Sequence, residues 1–495
     1  MSNAKQRSES WNTALTVKPG NIDLHIPVEE ITGAVPVGLR GGRLLSNGPG
    51  WNQYGNTFIH PFDGHGYLRS FAFNDDGSMD LKARFIETES YIVEAEKDDL
   101  IVRGFATNPH DQFWKNMPRG IPRNVANTTI YRWGDKLIAG WEGGEPHALD
   151  PNTLETHGVE TFNGLIAGKT TLAHMHHDPV DDTIILVNLK MGRYTDLEIH
   201  EVNSDKECIH SRTATIPHTA FVHDFTFSSN WIIFGGNNLN IKPISFVKHL
   251  MGAGTMLTSI KTNTNADGEM ILIPRRSTDD IRRVRLPEPV YVVHFVNAFE
   301  LDDGTVIIDA CIFHDFPFGE EFGYSGKHTP FDPTLPDQRE AQRMYRITIA
   351  PNSSEGTWEM LSPYGIDFPR VPPVEYGQNA RFMVGATRSD KIHSDPFDTI
   401  IVVDLQKTGR PAQVWTTSDT IFVGEPIIVS TPEHDDHILV LLSDGIQRQT
   451  TLAIFEASTL AQGPVCTIPM PLLPIAFHGE WDPIGVSEYE LVSVK

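Results

Sequence analysis

The chain has 495 residues, 39% of them hydrophobic, with 40 Gly and 34 Pro, so it can bury a large core and is rich in turn formers. Its formal net charge of −24 excludes nucleic-acid binding through a basic surface and disfavours docking on anionic lipid by charge alone. Three widely spaced cysteines, Cys208, Cys311 and Cys466, exclude a disulfide framework and point to a reducing compartment.

The opening Met1-Ser-Asn-Ala-Lys-Gln-Arg7 has no apolar stretch, so no signal peptide is expected. No apolar run approaches the ~18 residues that span a bilayer. The chain is therefore expected in the cytoplasm, or at most at the periphery of a membrane. Residues 1–20 are polar and are expected to form a flexible N-terminal segment, followed by a single domain over 21–495.

From there the chain reads as strand, turn, strand. Phe71-Ala-Phe runs into Asn74-Asp-Asp-Gly-Ser and then Leu81-Lys-Ala-Arg-Phe. Thr129-Ile-Tyr-Arg-Trp turns at Gly134-Asp135 into Lys136-Leu-Ile-Ala-Gly. Val296-Asn-Ala-Phe-Glu-Leu turns at Asp302-Asp-Gly304 into Thr305-Val-Ile-Ile-Asp. Ile400–Leu405 and Ile438–Leu442 continue the pattern, the latter ending at Ser443-Asp-Gly445. Turns of this kind between β-branched runs predict hairpins. One short helix is predicted near Asp337-Gln-Arg-Glu-Ala-Gln-Arg-Met344. Many short strands imply a sandwich, a barrel or a propeller, and no Trp-Asp or kelch repeat decides among them.

Four histidines stand in β-rich, apolar settings: His174 in Ala-His-Met-His-His, His223 in Phe-Val-His-Asp-Phe, His294 in His-Phe-Val-Asn, and His478 in Phe-His-Gly-Glu-Trp. Any one of the 21 histidines, taken alone, is more often a hydrogen-bonded core residue than a ligand. As a set they suit a metal that accepts neutral imidazole, such as iron, copper or zinc. Ligands so dispersed converge only where a closed fold brings distant strands to one axis, as a propeller does. His176 and His177 leave the first position open to a slip of two residues. Glu142 in Trp-Glu-Gly-Gly, Asp367 in Ile-Asp-Phe-Pro and Glu425 in Gly-Glu-Pro-Ile are carboxylates in apolar surroundings. They are turn acids or orienters of ligating imidazoles.

The ordered motifs resemble those of the carotenoid cleavage oxygenase family, over about residues 35 to 484. They are Val35-Pro-Val-Gly-Leu-Arg-Gly, Ser46-Asn-Gly-Pro-Gly, His60-Pro-Phe-Asp-Gly-His-Gly, Arg123-Asn-Val-Ala-Asn-Thr-Thr, Trp141-Glu-Gly-Gly, and the histidine motifs in family order. The resemblance implies an all-β, seven-bladed β-propeller, with loops and short helices capping an axial metal site. It implies one Fe(II) held by His174, His223, His294 and His478, with Glu142, Asp367 and Glu425 behind them. The family has Glu where this chain has Asp367, a side chain one methylene shorter. Thr128 matches a position whose methyl crowds a vacant coordination site; its alternative role is strand packing.

The implied activity is insertion of O₂ across a C=C bond to give two carbonyl products, with a lipophilic polyene as substrate. The stilbene-cleaving branch places a lysine before the first carboxylate and a tyrosine in the loop before it. Here those positions are Trp141 and Ala106, which favours an apocarotenoid. Stilbenoid or phenylpropanoid cleavage is the alternative within the family, and isomerisation of a retinoid a further one. A metal-free propeller acting as a binding module is the alternative outside it. Phe62, Phe105 and Trp141 are expected to line the substrate tunnel. The segment 243–257, with Phe246, Val247, Leu250, Met251, Met256 and Leu257, is expected either to meet a membrane at the tunnel mouth or to pack as a cap helix.

Overall fold

The computed structural model describes residues 3–117, 123–335, 340–393, 396–407, 412–431 and 434–484. Strand-forming runs separated by tight turns fold into seven antiparallel sheets around one axis, a seven-bladed β-propeller. The predicted hairpins are present: Tyr67–Phe73 pairs with Met79–Phe85, Thr129–Trp133 with Lys136–Gly140, and Tyr291–Glu300 with Val306–Phe313. Gly304 has φ +83, the left-handed conformation that its turn requires.

The innermost strands, in order round the ring from the second blade, begin at Thr129, His176, Thr226, Tyr291, Asp367 and Ile427, and the strand from Tyr291 packs against those from Thr226 and Asp367. The first blade closes the ring. Its inner strand, Gly479–Asp482, comes from the C-terminal end and pairs with Arg43–Ser46 from the N-terminal part. The fully buried Arg43 donates to Asp482 at 2.7 and 2.9 Å across that seam. Between blades lie apolar clusters, for example Ile233, Leu272, Val292, Ile308 and Ile347.

Two expectations are corrected. Against the expectation of a flexible segment over 1–20, Asn3–Thr16 is an α-helix. Its polar face hides a stripe, Trp11, Ala14 and Leu15, spaced i, i+3, i+4. That stripe is buried against Phe322, Phe331, Phe422 and Phe477, and the Trp11 indole donates to the Phe322 carbonyl at 2.9 Å. The helix predicted near 337–344 does not reach its end, since Arg343–Ile349 is a strand paired with Val306–Ile312; residues 336–339 lie outside the described part. The cysteines are free, as expected, with Cys208 exposed and Cys311 and Cys466 buried.

Candidate metal centre

The residues singled out in the sequence occupy one recurring place. Thr128, His174, His223, His294, Asp367, Glu425 and His478 each stand at or within a few residues of the start of an innermost strand, one per blade. Strand starts in a propeller converge on the axial channel, so residues 350 positions apart in sequence can become neighbours. The ligand-type nitrogens of His174, His223, His294 and His478 lie within 4.8 Å of one another. His223 Nε2 is 3.2 Å from both His174 Nε2 and His294 Nε2.

Each of three imidazoles has a carboxylate behind it. His223 Nδ1 is 2.5 Å from Glu142 Oε1, His294 Nδ1 is 2.5 Å from Asp367 Oδ1, and His478 Nδ1 is 3.0 Å from Glu425 Oε1. Glu425 also takes the amide of Gly479 and an Arg370 guanidinium N–H. His174 has no such close partner; its Nδ1 is 3.9 Å from Asp224 Oδ1. His176 is elsewhere. It pairs with Asp224 at 2.7 Å and stacks on Tyr376, so the slip of two residues does not occur.

The donor set fits a metal ion. With its Nδ1 paired to Asp367, neutral His294 carries its lone pair on Nε2, which faces Nε2 of His223 at 3.2 Å. Two lone pairs would repel there, and either a proton on His223 or a metal ion between the rings relieves that repulsion. Electrostatics point the same way. Burial, then the neighbouring His478, His223 and His294, hold the His174 imidazole well below its usual pKa. Burial also lowers that of His478. At His223 burial opposes charge, but the Glu142, Asp224 and Asp367 carboxylates together outweigh it and raise the pKa. Glu142, Asp224 and Asp367 thus place negative potential at His223, while burial and mutual repulsion keep His174 neutral. Four neutral nitrogen donors suit Fe, Cu or Zn rather than Mg or Ca.

His223, His294 and His478 open onto a cavity of about 470 Å³, a size that suits a small ligand. Phe62, Phe105, Trp141 and Thr128 all line it. Sequence reasoning missed other walls: Phe221, Phe316, Phe318, Phe368 and Phe477, and one acid, Glu321. The Phe-Pro-Phe-Gly run at 316–319 carried a signal in its aromatic density. A buried network fixes the Phe105 loop. Asp63 accepts the amides of Phe105 and Ala106 at 2.7 and 2.9 Å. Glu94 accepts the amides of Ile101 and Val102, together with Arg123, Tyr54 and His65.

Comparison with known proteins agrees with this arrangement. The family model described as RPE65, retinal pigment epithelial membrane protein, matches residues 18–483. An apocarotenoid-15,15′-oxygenase from Synechocystis is 29% identical, over 97% of this chain and 98% of its own length. An isoeugenol monooxygenase from Pseudomonas putida is 27% identical, over 94% and 96% respectively. The crystal structure of the cobalt-substituted Synechocystis apocarotenoid oxygenase superposes with a TM-score of 0.87 at 27% identity, covering 96% of this chain and 98% of that one.

Proposed function

The chain belongs to the RPE65 family of retinal pigment epithelial membrane protein relatives, and from that premise we propose that it is a non-haem Fe(II) dioxygenase that cleaves a C=C bond of an apocarotenoid. One atom of O₂ goes to each new carbonyl, so the reaction balances without a reductant. The observation that carries the reading is the four-imidazole cluster at the head of a cavity walled by aromatic side chains.

His174, His223, His294 and His478 would hold the iron, and Glu142, Asp367 and Glu425 would fix three of the imidazoles in the tautomer that presents Nε2. Bound Fe(II) would supply the site at which O₂ is activated. The remaining work falls to the chain. Phe62, Phe105, Trp141 and their neighbours exclude water and hold the alkene by its faces. Thr128, 8% exposed and lining the cavity, narrows the space beside the cluster.

Trp141 favours the apocarotenoid over a phenol, since an indole offers no cation to a phenolate. A phenylpropanoid is the second reading, favoured by likeness to the isoeugenol enzyme. No helix among the described residues is long and apolar enough to cross a membrane. The polyene would instead be collected at a membrane surface through the exposed residues of 243–257. The test is anaerobic purification with metal analysis, then addition of O₂ and an 8′-apocarotenal. About one iron per chain, bleaching of the polyene and two carbonyl products are expected. Iron without bleaching would shift the reading to phenylpropanoids, and no iron would overturn it.

A further inference from the structure

Most polar side chains that line the cavity are engaged within the protein. Glu142 and Asp367 face imidazoles. Asn127 donates to the Gly64 carbonyl at 2.7 Å, and Thr128 to Asn127. Arg123 is held by Glu94 and the carbonyls of Asp63 and Val102. Arg103 is held by Asn108 and the carbonyls of His249 and Gly254.

Glu321 differs. It is 8% exposed and lines the cavity among Phe62, Phe318, Phe322, Phe368 and Phe477. Its partners are backbone amides of its own turn, that of Gly319 at 2.7 Å and its own. These do not exhaust the two oxygens of a carboxyl group. The turn is rigidly placed. Gly319 and Gly323 have φ +93 and +75, and a Cβ at either would collide with the His60 ring or with the backbone of Asp332. A carboxyl fixed this way in an apolar cavity carries a cost unless something in the cavity pairs with it.

We propose that Glu321 is the specificity-determining residue for a hydroxyl group on the substrate. The inference rests on the cleavage reading in that it places the substrate in this cavity. Burial pushes the carboxyl up to about 7, so both of its protonation states are present near neutral pH. A hydroxyl serves both, accepting from the acid and donating to the carboxylate, whereas a carbonyl serves only the acid. An ether loses the donor and adds a methyl where the carboxyl stands.

The experiment compares an apocarotenol with its methyl ether, in wild type, Glu321→Gln and Glu321→Leu, all loaded with iron. Kd is read from quenching of tryptophan fluorescence and kcat/KM from polyene bleaching. The wild type is expected to prefer the alcohol by about tenfold to a hundredfold, the range for one hydrogen bond to a charged group. Glu321→Leu should erase that preference, with Kd and KM rising for the alcohol and not for the ether. Glu321→Gln should keep part of it. A preference surviving in Glu321→Leu, or an equal loss for both ligands, overturns the proposal. Preference in Kd without bleaching leaves Glu321 its role and overturns the cleavage reading. Bleaching without preference does the reverse, and binding of neither ligand overturns both.

Discussion

Asp367 is one methylene shorter than the glutamate of the family pattern, yet its Oδ1 lies 2.5 Å from His294 Nδ1. The backbone makes up the difference. The register of Asp367–Arg370 against its partner strand shifts between Asp367 and Arg370, and Phe368 between them has φ +50. Gly385 stands against the Asp367 carbonyl, where a Cβ would come within 3.0 Å. The strand is thus already bulged toward His294 and backed on its other side. An extra methylene has no room. Asp367→Glu is therefore expected to lower iron affinity about tenfold in a chelator competition, and Asp367→Ala by up to about a hundredfold, the range for partners behind a ligating imidazole. Equal or tighter iron binding by Asp367→Glu would refute this account. The histidines, Asp367 and Glu425 were legible because each sits at or near an apolar strand start, and Glu142 because its Trp-Glu-Gly-Gly turn follows the apolar strand Lys136–Gly140. The bulge was not, since nothing in Ile-Asp-Phe-Pro-Arg announces a left-handed phenylalanine.

The helix Pro243–Leu250 and the turn after it split the two roles expected for 243–257. Met256 and Leu257 pack against the cluster of Phe313, Phe316 and Phe318, as a cap would. Ile244, Val247, Leu250 and Met251 face out, with Ile244 76% and Leu250 51% exposed. Phe113, Trp114 and Met117, also exposed, lie on the adjoining loop, tied to this segment by Asn116 Nδ2 donating to the Gly252 carbonyl. The cavity reaches His249 and Met256 beneath this face. Ile244→Asp with Leu250→Asp is expected to cut co-sedimentation with neutral phosphatidylcholine vesicles at least tenfold, given ~1.5–3 kcal/mol for each buried aliphatic side chain. Iron content should not change. Sedimentation equal to wild type would remove the membrane reading. At this scale the hairpins were legible because Asp-Gly turns and β-branched runs are local signals. The N-terminal helix was not, because three apolar residues in a polar run show their purpose only against the aromatic surface they cover.

Across the whole molecule, the fold keeps many histidines neutral. Burial lowers the pKa of His60 to about 3 and of His65 and His147 to about 4, and lowers His174 and His478 as well. An unfolded chain would protonate all five near 6.5. A group whose folded pKa is depressed in this way adds stability above 6.5 that is lost as pH falls toward the folded value. Glu321 and Glu480, raised by burial to about 7 and about 8, act oppositely. Their stabilisation is complete below about 4.5 and fades as pH rises through 7 to 8. In metal-free protein the raised His223 also favours the acid side. His200 and His249 are lowered too, and Asp63 and Asp309 raised, so between pH 6.5 and 5 the lowered histidines still outnumber the raised groups. Tm is therefore expected to fall on acidification by on the order of a few degrees per pH unit. The iron-loaded protein should fall more steeply, because the metal takes the place of the His223 proton and is itself displaced by protons. Calorimetry at pH 7, 6 and 5, with and without a chelator, tests both slopes. A Tm that is flat in this range for the loaded protein would mean that the imidazoles at the propeller axis are not holding a metal in their neutral form.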